Sequence, residues 1–221
     1  MTAVDHTRLP PWIKLAVTQG IAAPLVYLGV VVVGAALRPG YSHYTQAVSE
    51  MTQAGADRFG LTVALTAMEA LTIAFGLGFF WIVRARDRRL AASALALVAI
   101  GVVGFGFAPF PMDPVGSPMT GPGMMHLVIV TISALAAIAA VLLSALGWRR
   151  RPEARWIAVV SAVALAGMLV SGFAAAIVGA NGWQGVGFWQ RIYTGAFGFW
   201  QIATALFLLR HGARLRNLQA L

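Results

Sequence analysis

The chain has 221 residues, of which 59% are hydrophobic and 10% charged, against about 25% charged in an ordinary soluble domain. Such a chain has too little polar surface to fold as a two-layer soluble domain, and disorder and coiled coils are excluded as well. It has no cysteine, which removes disulfides, thiolate chemistry and Cys-ligated zinc or iron–sulfur sites, and its net charge of +9 has to be read from where the charges lie.

Six apolar runs follow one another, at roughly Leu15–Leu37, Gly60–Val83, Leu90–Ala108, Met124–Gly147, Trp156–Val178 and Tyr193–Leu209. At 1.5 Å of rise per residue, each is long enough to cross a hydrocarbon core of about 30 Å. The first run exceeds the 7–15 apolar residues of a typical secretory signal and is read as a retained span. The fold expected is therefore all-α, a polytopic bundle of six transmembrane helices making a single domain over residues 1–221, with no repeat and no second unit.

Thirteen of the 16 basic residues fall on one side of these spans, in the N-terminal segment, the links Arg84–Arg89 and Arg149–Arg155, and the tail from Arg210. Only Arg38, Arg58 and Arg191 fall on the other. This bias predicts a multi-pass protein of the plasma (inner) membrane with both termini in the cytoplasm. It also accounts for the basic balance through membrane lipids rather than nucleic acid. The outer links are the chemically varied ones, and chemistry tends to sit on such loops. The sequence leaves the oligomeric state open.

In the first outer link, Ser42 is placed to cap a short amphipathic helix running to about Gln53, with Tyr44, Val48 and Met51 as its apolar stripe. Its polar face carries Gln46, Ser49 and Glu50. One reading is a lid helix with a solvated carboxylate; the other puts Ser49 and Glu50 over the mouth of the bundle. In the second, Pro111 and Pro114 bracket Asp113, and His126 opens the fourth span, with Ile129, Val130 and Ser133 following on its face. Asp113 and His126 are placed so that they could pair, with the carboxylate orienting the imidazole as a general base or a metal ligand, or as a structural hydrogen bond. Glu50, Asp113 and His126 are thus the catalytic candidates, expected to converge at the outer interface.

The third outer link ends in Trp189-Gln190-Arg191. Its tryptophans suit an interfacial aromatic belt, and Arg191 suits either a headgroup contact or a bond to Glu50, Asp113 or a lipid phosphate. Glu69 lies near the middle of the second span. An ionised carboxylate there costs about 2.5–3.5 kcal/mol on insertion scales, and no Lys or Arg lies deep in a span to offset it. Glu69 is expected to face the bundle as a neutral acid bonded to a neighbour such as Thr66, Gln201 or Ser171, either packing or handling protons. Together with Tyr41, Ser42, Ser49, Trp189, Gln190 and Arg191 it forms the substrate-binding set. No cofactor and no metal is implied, because His43 and His126 alone are too few for a His-rich zinc site.

The Tyr-Ser-x(6)-Ser-Glu-Met segment at Tyr41–Met51, the Phe110-Pro111-x-Asp113 segment and His126 at the head of the fourth span, in this order and in a six-span frame, resemble the bacterial integral-membrane family catalogued as domain of unknown function 998. The resemblance covers nearly the whole chain and implies a fold and topology but no assigned reaction. In place of that family's acidic–basic pair near the last span stands Trp189-Gln190-Arg191. Small integral-membrane terpene cyclases offer a chemical and architectural likeness only: an acid among Glu50, Asp113 and Glu69 would protonate an olefin or epoxide, and Tyr41, Tyr44, Trp183, Phe188 and Trp189 would stabilise the cation. The expected function is an enzyme using acid–base chemistry on a lipid or isoprenoid. The alternatives are a non-catalytic binding or transport protein centred on Glu69, and a structural membrane subunit.

Overall fold

The computed structural model describes residues 8–217. Among them are six long helices: α1 (Pro11–Ala36), α2 (Phe59–Val83), α3 (Arg88–Gly104), α4 (Gly121–Trp148), α5 (Arg155–Ala180) and α6 (Val186–Asn217). Each is long and apolar enough to cross a membrane, so the protein is a multi-pass membrane protein. Large apolar side chains such as Leu15, Leu28, Val63, Val163 and Phe173 are exposed on the outer faces, which is the pattern of a bundle solvated by lipid rather than water.

Every helix packs on its neighbours in sequence, and α1 also packs on α6, which closes the six into a ring. α2 and α3 approach nearly backbone to backbone. A Cβ at Gly76 would lie 2.9 Å from the Ala94 carbonyl oxygen, and one at Gly101 would lie 2.6 Å from the Glu69 carbonyl oxygen. Small residues at such positions let membrane helices come close, where van der Waals contact is a main source of association.

The two ends of the ring differ. At the end bearing the arginine-rich links, Ile13, Phe75, Phe79, Leu90, Trp148 and Phe207 are fully buried in one cluster. Phe79 stacks on Trp148 at 6.3 Å, and Phe207 meets the Trp148 edge at 5.0 Å. Trp200 Nε1 donates to Ser161 Oγ at 3.1 Å and approaches Ser144 Oγ at 3.3 Å, which ties α4, α5 and α6 together. This half is a solid plug. The opposite half, toward the varied links, is hollow.

The link helix is present but shorter than Ser42–Gln53. It is a 3-10 turn over Val48–Thr52, with Val48 and Met51 buried as the stripe requires and Tyr44 exposed outside it. The reason is competition for carbonyls. Arg191 takes those of His43 and Gln46, and the Tyr41 hydroxyl donates to that of Ala47 at 2.8 Å. An α-helix through this segment needs the same acceptors for its own N–H groups. At the other links, α4 begins earlier than Met124 because Thr120 Oγ1 accepts the Gly123 N–H at 3.2 Å as an N-cap with Pro122 in the first turn. α6 begins seven residues before Tyr193, after Gly185 turns the chain at φ +114°.

Candidate functional site

The hollow half holds a partly open chamber of about 440 Å³ to which all six helices contribute. Its wall is mostly apolar and built from small residues, among them Gly104, Ala134, Gly172 and Ala175. Val48, Ser49 and Thr52 of the 3-10 turn lie across its end. Tyr193 forms part of the wall and is fixed there by its hydroxyl, which donates to the Ala134 carbonyl at 2.7 Å.

Besides Tyr27 and Tyr193, one imidazole and one carboxyl group face this space. His126, on the second turn of α4, is 4% exposed. Its Nδ1 lies 2.9 Å from the Phe110 carbonyl oxygen, which can only accept, so Nδ1 carries the hydrogen and the neutral ring offers a bare lone pair at Nε2. That Nε2 is buried and has no hydrogen-bond partner. The ring packs on Phe107 with centroids 5.1 Å apart, so its direction is fixed from two sides.

Glu69, on α2, is 5% exposed and lies with its carboxyl carbon over Gly104 of α3: a Cβ there would fall 2.2 Å from Cδ. It faces the bundle, but none of the expected neighbours bonds to it. Thr66 donates to the Thr62 carbonyl, Ser171 to the Gly167 carbonyl, and Gln201 Nε2 has no partner. Glu69 Oε2 is itself buried and unpartnered, as are Thr62 Oγ1 and Ser133 Oγ on the same wall. Buried polar atoms are almost always satisfied in folded proteins, and four of the unpartnered ones border this one cavity.

The remaining candidates do other work. Glu50 accepts the Ala47 N–H at 2.8 Å on Oε1 and the Gln46 side-chain amide at 3.0 Å on Oε2, so both oxygens are engaged inside the link. Asp113 does not pair with His126. Its carboxylate accepts the Thr120 N–H at 2.8 Å and the Thr120 hydroxyl at 2.7 Å, and these bonds hold its pKa below the usual carboxylate range. Neither carboxylate lines the chamber. Short links supply free N–H groups within a few residues, and each acid has taken the nearest ones.

Arg191 bonds to neither acid. Its Nη1 donates to the carbonyls of His43, Gln46 and Gly187 at 2.8–2.9 Å, and its Nη2 donates to the Tyr41 hydroxyl at 2.7 Å. Burial pushes the Tyr41 phenol pKa up, against the pull of that bond. Gln190 Oε1 accepts the Val48 N–H at 2.8 Å, and the Phe188 N–H donates to the Tyr44 carbonyl at 2.9 Å. Tyr41, Gln190 and Arg191 therefore clamp the first link onto the head of α6. Ser42 Oγ accepts the Thr45 N–H at 3.3 Å, and Trp189 packs edge-on against Phe188 at 5.2 Å; neither lines the chamber. Ser49 lines it and donates to Met112 Sδ at 3.2 Å. Of the expected site residues, the chamber brings together His126, Glu69, Ser49 and Gln190.

Several wall residues were not singled out by the sequence, notably Tyr27, Phe107 and Tyr193. A signal for them existed. Stepping along α6 from Gln190 by three, four and seven gives Tyr193, Thr194 and Phe197, all on the wall, just as stepping along α4 from His126 gives Val130 and Ser133. Among the described residues no cluster of three or more His, Asp or Glu is arranged to hold a metal ion.

No curated protein matches the chain, and no solved structure matches it. A family model does, over residues 21–207 of the 221, spanning the whole chamber. The chain therefore belongs to the family described as "Protein of unknown function (DUF998)".

Proposed function

We propose that the protein is an enzyme that admits a lipid or isoprenoid to the chamber and acts on it by acid–base chemistry, with His126 as the base and Glu69 as the acid. The observation that carries this reading is the pair of buried, unpartnered atoms, His126 Nε2 and Glu69 Oε2, on one apolar wall. A base needs a free lone pair, and the Phe110 carbonyl fixes the tautomer that provides it and would stabilise the imidazolium formed. A carboxyl in an apolar wall with no cation beside it is held as the neutral acid and has a proton to donate. The acid role thus passes from Glu50 and Asp113, whose oxygens are engaged in the links, to Glu69. The split of basic residues supports a plasma-membrane location with both termini in the cytoplasm and the chamber in the outer half. The solid plug beneath argues against passage straight through the bundle.

The test compares vesicles containing the wild-type protein, His126→Ala or Glu69→Ala after incubation with a total lipid extract, read by mass spectrometry. The expected result is a change in apolar components with wild type alone, while all three proteins elute as one symmetrical peak in detergent. Equal conversion by the two variants would refute the assignment, and no conversion by wild type would favour a binding protein.

A further inference from the structure

Within the reading of the chamber as a ligand site, we propose that its ligand is a neutral apolar alcohol, recognised by one hydroxyl group held between His126 and Glu69, and not a fatty acid, an amine or a phosphate ester.

The wall's hydrogen-bond valences define the complement. His126 Nδ1–H is taken by the Phe110 carbonyl, so Nε2 needs a donor. Neutral Glu69 carries one O–H that needs an acceptor. Thr62 and Ser133 bring hydroxyls that can turn either way. A hydroxyl is the smallest group that both donates and accepts at one atom. A ketone, ester or ether would serve Glu69 and leave Nε2 bare.

The spacing suits a single small group. The Glu69 carboxyl lies over Gly104 and the His126 ring lies against Phe107. These two contacts are three residues apart along α3 and the turn that extends it, about 5 Å of helical rise. No hydrogen bond or ion pair joins Glu69 to His126 among the described residues, so Oε2 and Nε2 both remain open to a ligand atom.

Charge sets aside the alternatives. No Lys or Arg lines the chamber. The three arginines at this end are all turned to backbone carbonyls: Arg38 to those of Met51 and Asp57, Arg58 to that of Ala108 at 3.2 Å, and Arg191 to those of the first link. A phosphate or diphosphate would be buried without a counter-ion, and a carboxylate would have to enter ionised or first take up a proton from water. Either is expensive in an apolar wall. An ammonium group would supply donors but nothing to accept from the acid. The chamber volume of about 440 Å³ leaves room for a body on the order of 15 heavy atoms at roughly 30 Å³ each, which makes a C15 isoprenoid alcohol a suitable probe.

The test uses the full chain in phosphatidylcholine nanodiscs with a tritiated C15 isoprenoid alcohol, competed by the same alcohol and by its carboxylic acid, primary amine and diphosphate counterparts. Saturable binding is expected, with the alcohol at least tenfold tighter than the other three. Glu69→Ala and His126→Ala should each weaken it at least tenfold. Glu69→Gln should stay within threefold of wild type, because its amide still donates, and a purely structural role would not predict that rescue. Ala175→Trp, which fills the chamber, should abolish binding. If the acid, amine or diphosphate competes as well as the alcohol in wild type, and Ala175→Trp abolishes that binding, the ligand class is wrong and the chamber reading stands. If none of the four binds saturably, or Ala175→Trp leaves binding intact, both fail. The competition needs only the wild-type protein, so a variant that fails to fold does not protect the proposal.

Discussion

Gly104→Ala separates a working acid from a packing group. The new Cβ would lie 2.2 Å from the Glu69 carboxyl carbon and 2.5 and 2.6 Å from its oxygens. Carbon–carbon contact begins at about 3.5 Å, so the carboxyl has to retreat by roughly 1.3 Å. It sits at the end of a flexible side chain, and leaving its preferred rotamer costs about 0.5–1.5 kcal/mol. Replacing Gly by Ala in a helix returns up to about 1 kcal/mol, less at the last residue of α3. Stability should therefore stay within about 1 kcal/mol of wild type, a shift of a few degrees in Tm. Ligand binding should respond far more. Moving the donor by that distance breaks its hydrogen bond and leaves a buried group unpaired, at about 1–3 kcal/mol, or roughly 5- to 150-fold in affinity. Thermal unfolding in detergent measures the first effect and binding of the C15 alcohol the second. A variant that loses several kcal/mol of stability yet binds normally would refute the reasoning, because Gly104 would then serve packing and not the position of the acid.

Gly101→Ala should behave in the opposite way: its Cβ would meet the Glu69 carbonyl oxygen at 2.6 Å, backbone that cannot retreat, and the variant should lose about 1–3 kcal/mol, read as a lower Tm. Arg191→Lys should free the first link, since one ammonium cannot reproduce a fork that reaches the Tyr41 hydroxyl and the carbonyls of His43, Gln46 and Gly187; faster limited proteolysis within residues 38–58 is expected, and an unchanged cleavage rate would count against the clamp. Asp113 has a lowered folded pKa, so its contribution to stability is complete above the unfolded value of about 3.9 and is lost as pH falls through the lower folded value. Asp113→Asn should remove that part of the acid limb in thermal melts between about pH 2 and 5, and a limb identical to wild type would show that Thr120 does not hold the charge. A C-terminal alkaline phosphatase fusion, active only outside the cytoplasm, should be silent if both termini are cytoplasmic.

The six spans and the inward face of Glu69 were legible because each rests on a strong physical rule. A 20-residue apolar run has few alternatives in lipid, and a lone Glu or His inside one is conspicuous by its cost. The partners were harder to read. Asp113 and Glu50 were expected at the site because they are charged and lie at its end of the bundle, but each sits three to seven residues from free N–H groups that it satisfies instead. Glu69 was expected to bond to a hydroxyl or amide such as Thr66, Ser171 or Gln201, but Thr66 and Ser171 donate back to carbonyls four residues earlier, as hydroxyls within helices often do, and Gln201 Nε2 has no partner. Local hydrogen bonding thus engages the acids in the links and leaves Oε2 of the acid in the span without a partner. The Thr120 cap with Pro122 behind it was a readable sign of both the start of α4 and the fate of Asp113.

The chamber itself follows from where volume was placed along the helices. Toward the arginine-rich end the inward positions hold Phe75, Phe79, Trp148, Trp200 and Phe207. On the chamber wall, Thr62, Gly104, Ala134, Gly172 and Ala175 leave space between Tyr27, Phe107, Tyr193 and Phe197. Small residues alone would let the helices collapse together, as Gly76 and Gly101 do between α2 and α3. They cannot collapse here, because the aromatic plug holds the helices apart below and the Arg191 clamp fastens the first link to α6 above. Water gains little from a wall so apolar, and an empty wall forfeits the dispersion contacts that a filling molecule would restore. On the proposed reading, an apolar body fills the space and its single polar group meets His126 and Glu69, so that binding and chemistry would rest on the same few atoms.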